Sequence, residues 1–219
     1  MMLNVVSLEE AIRITQAEFS FFSPDTEKLN ISDSLGRVLA KDIVSDENIP
    51  PFNRSTVDGY AVLSSDTFGA SEGSPSMLYA KGEILMGEEA LSTVASGECI
   101  KISTGGMLPE GADSVVMVEN TEEMLDATCL IFKGVSPLQN VTKTGDDIKT
   151  GQLVIKKGTR ITSKHIGILC ALGITEIECV KRIKVGVISS GDELVPVEEK
   201  VPLGKIRDIN SHFLAALMK

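Results

Sequence analysis

The chain is organised around one stretch, Pro50-Pro51-Phe52-Asn53-Arg54-Ser55-Thr56-Val57-Asp58-Gly59-Tyr60-Ala61-Val62. Its two leading prolines fix φ and remove two backbone donors, so the start of the stretch is neither a helix nor a central strand. Asp58-Gly59 is a turn dipeptide, and residues 60–62 are predicted to form the strand that follows. Four polar side chains at 53–56 suit a site for a polar or anionic ligand. The alternative is a proline-led turn in which Asp58 only caps its own backbone.

Composition narrows the classes of function. The 219 residues are 42% hydrophobic and 24% charged, enough for one large domain or two ordinary ones with a real core. A formal net charge of -10 and an aromatic content of 4% argue against a nucleic-acid partner, which needs a basic surface and stacking platforms. The first ten residues lack a signal-peptide pattern, and no window approaches the roughly 18 apolar residues of a membrane span. No membrane partner is therefore expected.

The cysteines and histidines exclude some chemistry. None of the four cysteines forms a Cys-x-x-Cys pair, and there are only two histidines, which argues against structural zinc and against general-base catalysis by histidine. Each cysteine lies in an apolar stretch, so the thiols are expected to be reduced and the protein cytoplasmic.

The first element is predicted to be an amphipathic helix. Ser7 and Glu10 form a capping-box pattern, and Pro24 ends the helix. Apolar positions recur at helical spacing, at Leu8, Ala11, Ile12, Thr15, Phe19 and Phe22. This stripe is expected to pack on the chain's own core, with a partner subunit as the alternative.

The middle of the chain is predicted to be rich in β-structure. Residues 64–118 are dense in Gly, Ser and Glu, and short apolar runs at 77–80, 99–102, 115–118 and 128–132 predict a small β-sandwich or barrel. Other expected elements are strands at 27–31, 41–44, 152–155 and 176–180, a helical turn at 33–40, and a helix from Thr162 or Ser163 to Leu172 that ends at Gly173.

The last 39 residues are predicted to form half of a parallel β-α-β unit. The apolar run at 183–189 predicts a parallel strand covered on both faces, and a cap at 208–210 precedes a predicted helix. Such a strand needs parallel neighbours and helices, which takes a domain of on the order of 100 residues. We therefore expect the chain to be a fragment of a longer protein.

Three further loops contain residues of the kinds that bind anions, metal ions or other ligands. Ser103-Thr104-Gly105-Gly106 follows a predicted strand, where consecutive glycines can expose amides as an anion nest; the alternative is a tight turn. Thr144-Gly145-Asp146-Asp147-Ile148 offers two adjacent carboxylates of the kind Mg²⁺ prefers, or a solvated acidic turn. Ser189-Ser190-Gly191-Asp192-Glu193-Leu194 follows the predicted parallel strand, at the end where α/β sheets bind ligands. Asp208 and Asn210 lie near it in that arrangement, or serve only as a cap.

Together these loops resemble the molybdopterin molybdenumtransferase family, the group of MoeA and the gephyrin E domain. The family's motifs occur in its order through most of the chain, in the stretches 50–62, 102–106, 109–117, 145–148, 189–194 and 204–210. Small departures are Val57 where Met is frequent, Gly106 where Ala is frequent, and Ser190 where Thr is frequent. None of these departures removes a charged group.

The resemblance implies a multidomain α+β fold. An elongated, discontinuous α+β domain would comprise residues 1–45 and 146–180, with a β-rich inserted domain at 46–145. Residues 181–219 would be the truncated start of an α/β, parallel-sheet nucleotide-type domain. Members of the family are homodimers whose active cleft lies between the third domain of one subunit and the first two domains of the other.

The resemblance also implies an activity and a set of site residues. Family members insert molybdate into adenylylated molybdopterin and release AMP, with a divalent cation such as Mg²⁺. The catalytic residues would be Asp58, Thr104 and Asp146. The substrate-binding residues would be Ser55, Ser103, Gly105, Asp192, Glu193, Asp208 and Asn210. The metal ligands would be Asp58, Asp146 and Glu193.

Two classes of function remain open from the sequence. One is a transferase fragment that does not make cofactor alone, because the family's later pterin-binding loop and fourth domain are absent from these residues. The other is a non-catalytic scaffold or partner-binding module that keeps the same fold. A generic dinucleotide-binding domain is disfavoured, since no Gly-x-Gly-x-x-Gly fingerprint follows Ser189.

Overall fold

The computed structural model describes residues 5–20 and 23–218 of the chain, which divides into two units. One unit combines Met1–Glu27 with Val180–Lys219, and the other is Lys28–Cys179. The second unit holds the sheet and the buried cores described below. The domain boundaries predicted from the sequence stay predictions.

The described residues contain three α-helices and fourteen short or medium strands. The helices are α1 (Leu8–Glu18), α2 (Ser163–Ala171) and α3 (Asn210–Leu217). The strands are β1 (Thr26–Asn30), β2 (Ile43–Val44), β3 (Arg54–Ser55), β4 (Gly59–Val62), β5 (Ser76–Ile84), β6 (Glu98–Ile102), β7 (Ser114–Met117), β8 (Thr121–Glu123), β9 (Thr128–Ile131), β10 (Val141–Thr142), β11 (Leu153–Ile155), β12 (Glu176–Val180), β13 (Leu194–Val195) and β14 (Ile206–Arg207).

The largest element of the fold is a six-stranded sheet in the order β7-β4-β6-β5-β9-β8. Its neighbours are antiparallel except β5 and β6, which run parallel. Within the described residues its end strands β7 and β8 do not pair with each other, so the sheet is open. The predicted strands are confirmed, and they form one six-stranded sheet where the sequence predicted a small β-sandwich or barrel.

Both faces of the sheet are buried around β4, whose four residues are all buried, which explains the apolar run there. Successive side chains of a strand point to opposite faces. Tyr60 and Cys99 accordingly belong to one core cluster, while Ala61 and Ile100 belong to the other. The two clusters cover the sheet around β4, whereas β5 leaves Met77 and Tyr79 71% and 56% exposed.

A third core lies beside the sheet, within the same unit. It is built on α2 and on the small pairings β1–β12 and β2–β11, with Leu39, Ile161 and Leu169 at its centre. The helix α2 starts as expected after Thr162, whose backbone amide donates to Nδ1 of His165 at 3.1 Å. Gly173 follows the helix with a positive φ of 64°, as the predicted terminator should. The helical turn expected at 33–40 does not form: a 3₁₀ turn at Ile31–Asp33 precedes it, and Val38 and Leu39 make isolated β-bridges with Arg160 and Cys179.

The helix α1 is confirmed, but it ends at Glu18, before the predicted stop at Pro24, and its predicted burial is not found. The Ser7 hydroxyl accepts from the Glu10 amide at 3.2 Å, whereas the Glu10 carboxylate binds Arg13 at 2.7 Å and not the amide of Ser7. The apolar positions Leu8 and Phe19 are 77% and 67% exposed, so this stripe does not pack on the core of the described chain. The predicted stripe position Phe22 lies outside the described residues.

The strand predicted at 183–189 does not form. Ile183 and Ile188 are 65% and 93% exposed, and no strand is found between Val180 and Leu194 in the described part of the chain. The physical reason is pairing, because an isolated run has no neighbour for its backbone donors and acceptors. What does form is the short parallel pair β13–β14 and the helix α3, which confirms the predicted C-terminal helix.

Over the described ranges, every helix is too short or too polar to cross a bilayer.

Candidate active site

Three of the predicted loops meet at the two-residue strand β3. On one side β3 pairs with β10, where Ser55 lies opposite Val141. On the other side the Ser55 amide donates to the Gly106 carbonyl at 3.0 Å, and the Gly105 amide donates to the Ser55 carbonyl at 2.8 Å. The stretches 50–58, 103–107 and 140–148 therefore share one backbone junction.

Asn53 reinforces this junction with its side chain. Its Oδ1 accepts from the Thr144 amide at 2.9 Å and from the Thr144 hydroxyl at 3.2 Å. Its backbone carbonyl accepts from the Leu108 amide at 2.8 Å. The Gly145 amide also donates to the Pro50 carbonyl, so the acidic loop is fastened to the proline-led stretch at two points. The sequence showed Asn53 as one of four polar residues and gave no reason to separate it from them.

Asp58 stands at the turn between β3 and β4 and is held by the glycine-rich loop. Its Oδ1 accepts from the Thr104 amide at 2.7 Å. The amide and the hydroxyl of Thr104 lower the pKa of the Asp58 carboxyl, although the group is exposed. Asp58 is therefore a fixed, ionised carboxylate, and it does more than cap its own turn, because its partner is 46 residues away.

Gly59 is required by close packing and not by its backbone conformation. A Cβ at this position would lie 1.9 Å from the carbonyl oxygen of Val116 in β7. The close approach of β4 and β7 thus leaves no room for a side chain directly after Asp58. This packing fixes where the Asp58 turn enters the sheet.

At Ser103–Gly106 the structure favours the tight turn over the anion nest, because all four backbone amides already have acceptors. The Thr104 amide donates to Asp58, and the other three donate to backbone carbonyls. Those carbonyls belong, in loop order, to Ile84, Ser55 and Ser103. The loop therefore positions Asp58 and β3, and the binding of substrate by Ser103 and Gly105 stays a prediction.

A cavity of about 140 Å³ lies beside Asp58. Its walls are Asp58, Gly59, Glu83, Lys101, Ile102, Ser103 and Val118. The Lys101 ammonium and the Glu83 carboxylate form an ion pair at 3.2 Å across the parallel strands β5 and β6. Sequence reasoning missed both residues, since only the register of β5 against β6 brings them together next to Asp58.

Ser55 is buried, and its hydroxyl is used within the loop. The hydroxyl donates to the Val57 carbonyl at 2.6 Å and accepts from the Val57 amide at 3.2 Å. These bonds shape the approach to Asp58. That Ser55 also contacts a ligand stays a prediction.

The two carboxylates of the acidic loop differ in their surroundings. Oδ2 of Asp146 accepts from the Lys143 amide at 2.8 Å, which closes a local turn. The backbone amide of Asp147 binds the Ile49 carbonyl, and its exposed side chain has no hydrogen bond among the described residues. The loop that carries Asp146 reaches the junction at β3, but Asp146 is not a wall of the Asp58 cavity.

The predicted residues of the C-terminal segment fall into two groups. Asp208 accepts from the Ser189 hydroxyl at 2.9 Å and from the Ser211 amide at 3.1 Å, and both serines help lower its pKa, Ser211 most. Asp208 and Ser189 line a second cavity of about 410 Å³. Asp192, Glu193 and Asn210 are not among its walls.

No group of three or more acidic, histidine or cysteine side chains that could hold a metal ion occurs at residues 5–20 or 23–218. The resemblance places Glu193 on a different subunit from Asp58 and Asp146, so the predicted metal set of these three residues stays a prediction. The donor chemistry nevertheless suits Mg²⁺, which takes one or two carboxylates and completes its shell with water and substrate phosphate oxygens.

Comparison with known proteins agrees with these motifs. Residues 6–173 match the family model of the MoeA N-terminal region, domain I and II. A molybdopterin molybdenumtransferase of Staphylococcus epidermidis is 39% identical over 191 residues, which is 87% of this chain and 45% of that protein. Gephyrin of Dictyostelium discoideum is 35% identical over 99% of this chain and 32% of that protein.

A solved structure shows the same likeness in three dimensions. The molybdopterin biosynthesis MoeA protein from Pyrococcus horikosii superposes with a TM-score of 0.88 at 42% identity. The match covers 98% of this chain and 54% of that one, so the chain spans about half the length of the relatives it matches. With more than half of its residues in the family model, the chain belongs to the molybdopterin molybdenumtransferase family and carries the MoeA N-terminal region.

Proposed function

We propose that this chain supplies part of the active site for inserting molybdate into adenylylated molybdopterin, with release of AMP. The observation that carries the proposal is the junction at β3. There an ionised Asp58, held by the Thr104 amide, meets two other loops of the family's motifs. Membership of a family named for molybdenum transfer to molybdopterin supports this choice of reaction.

Asp58 is the proposed catalytic residue, and Thr104 holds it in position. A carboxylate with a lowered pKa stays charged at neutral pH, so it can orient a cation or the attacking oxygen of molybdate. The Thr104 amide holds one carboxylate oxygen in position for that task. Asp146, in the stretch 140–148, is proposed to add a second carboxylate to the site.

Magnesium is the proposed cofactor, held by Asp58 and Asp146 together with Glu193. Bound there, the ion would neutralise phosphate charge and so favour departure of AMP. Asp58 presents its carboxylate to the cavity that Lys101 and Ser103 also line, which leaves room beside it for phosphate oxygens or water.

The active assembly is proposed to be a cytoplasmic homodimer. Asp192, Glu193, Asp208 and Asn210 would then face the cleft from the second copy, while Asp58, Thr104 and Asp146 face it from the first. The first four residues and the last three lie in different units of the chain.

The test is Asp58→Asn in a protein that carries this chain with its remaining family domains. We expect loss of molybdenum cofactor formation with an unchanged circular dichroism spectrum. Asp126→Asn is the matched control, because Asp126 is also exposed and is held in the same way by a threonine, Thr128. Normal turnover by Asp58→Asn would reject the role of Asp58. Binding of a protein partner without any binding of adenylylated molybdopterin would favour the scaffold function instead.

A further inference from the structure

The walls of the Asp58 cavity carry one positively charged side chain and two carboxylates. Lys101 is the only positively charged side chain among its described walls, and Asp58 and Glu83 are the negative ones. The proposed reactants are molybdate and an adenylylated phosphate ester, both of them anions. An anion that enters this cavity meets the repulsion of Asp58 and needs a donor that offsets it.

The backbone does not supply that donor. Every amide from Ser103 to Gly106 is already bound within the chain. The donors that remain on the cavity wall are the Lys101 ammonium and the Ser103 hydroxyl. Of these, only the ammonium brings a full positive charge, so it is the stronger partner for an oxyanion.

The ion pair with Glu83 keeps Lys101 at the cavity without burying it. Both side chains are 46% exposed, and a half-exposed pair of this kind is weak enough to open. The parallel register of β5 and β6 sets Glu83 beside Lys101 whether or not a ligand is present. Lys101 is therefore held near Asp58 and is free to exchange its carboxylate partner for another anion.

We propose that Lys101 binds a tetrahedral oxyanion of the reactants in the cavity beside Asp58, by exchanging the Glu83 carboxylate for the anion. This inference rests on the proposed function and adds an anion-binding residue to it. The oxyanion is either free molybdate or the phosphate of the adenylyl group, and separate titrations distinguish the two.

The same strand pair offers a matched control. Lys81 in β5 and Glu98 in β6 form a second cross-strand ion pair at 3.0 Å, and neither residue lines the Asp58 cavity. Substitution of Lys81 removes the same charge from the same pair of strands. It therefore separates a specific site from a general loss of positive charge.

The experiment titrates the 219-residue chain with sodium molybdate and, separately, with AMP, and follows binding by calorimetry. Lys101→Gln should weaken binding by about tenfold or more, as expected for loss of one hydrogen bond from a charged donor. Lys101→Arg should keep most of the affinity, and Lys81→Gln should match the wild type. Glu83→Gln should bind several-fold more tightly, because the competing carboxylate is gone.

Binding of molybdate alone identifies the oxyanion as molybdate, and binding of AMP alone identifies it as the phosphate. Wild-type affinity in Lys101→Gln, an equal loss in Lys81→Gln, or no binding of either anion would overturn the proposal. The Asp58→Asn turnover assay does not depend on these titrations. Loss of turnover in Asp58→Asn together with unchanged binding in Lys101→Gln would therefore remove only the inference about Lys101. Unfolding curves of the variants check that each is folded.

Discussion

Two apolar runs of the chain differ in burial: one lies in the core and the other is exposed to solvent. The strand β6 buries Ile100 and Ile102 to 1% exposure within one core cluster, whereas Ile188 in the run at 183–189 is 93% exposed. β6 lies between β4 and β5, which satisfy its backbone on both sides, while the C-terminal run has no neighbouring strand in the described chain. Apolar composition therefore predicts burial only where pairing partners are within the same chain.

The difference extends to the candidate site residues. Around Asp58 the loops are fixed by backbone bonds to distant parts of the chain, as in the contacts of Ser55 with Gly105 and Gly106. Around Asp208 the bonds are made to Ser189 and Ser211, within the C-terminal segment itself. The first set of residues is positioned by the sheet, and the second by local contacts.

The largest effect should come from filling the close approach in the sheet. Gly59→Ala places a methyl group 1.9 Å from the Val116 carbonyl, so β4 or β7 must shift. We expect the free energy of unfolding to fall by about 4 kcal/mol or more. Gly73→Ala is the control, because a Cβ there meets no atom within 4 Å, and it should change stability by less than about 0.5 kcal/mol. Urea titration measures both, and a Gly59→Ala protein as stable as the control would contradict the predicted clash.

A direct comparison of the two apolar runs should give the next largest effect. Ile100→Ala removes a buried side chain from the core and should cost about 3 kcal/mol. Ile188→Ala removes an exposed one and should cost less than about 0.5 kcal/mol. The same urea titration measures this pair. A cost above about 1 kcal/mol for Ile188→Ala would mean that the C-terminal run packs against something in solution.

The smallest effect should be the part of the pH dependence of stability that comes from Asp58. The folded pKa of Asp58 is lowered, so its contribution is present above the ordinary aspartate pKa of about 3.9 and is lost as the pH falls through the folded value. The urea midpoints of wild type and Asp58→Asn should therefore differ at about pH 6 and converge near pH 2. Asp208→Asn should leave the midpoint of the sheet unit unchanged, since Ser189 and Ser211 lie outside that unit. A midpoint difference for Asp58→Asn that persists at low pH would contradict the linkage.

Much of the fold was predictable from local sequence. The strand at Glu176–Val180 and the caps of α1 and α2 follow from short patterns in which each residue acts on its neighbours. The order of the sheet was not predictable, because it depends on which distant strands pair. The parallel contact of β5 with β6 is one such pairing, and it is what brings Glu83 to Lys101.

The site was predictable in its centre and not in its details. The proline-led stretch and its Asp58-Gly59 turn stand out in the sequence through unusual backbone chemistry, and this loop is the one that the other two meet at β3. The choice between a nest and a tight turn at Ser103–Gly106 could not be made from the sequence, because the availability of an amide depends on acceptors from other elements, here Asp58 and the Ile84 and Ser55 carbonyls. Lys101 was not found, since a lysine in a strand has no distinguishing pattern until its neighbours are known.

The junction at β3 has a consequence for synthesis on the ribosome. Its two neighbours, near Gly106 and Val141, lie about 50 and 85 positions downstream of it, so the proline-led stretch emerges from the exit tunnel well before either of them. During that interval Asp58 and its loop lack the contacts that fix them, and the candidate site of the nascent chain is not yet formed. A pause in translation before residue 148 would prolong this exposed stage, whereas a pause after it would follow the appearance of all three loops.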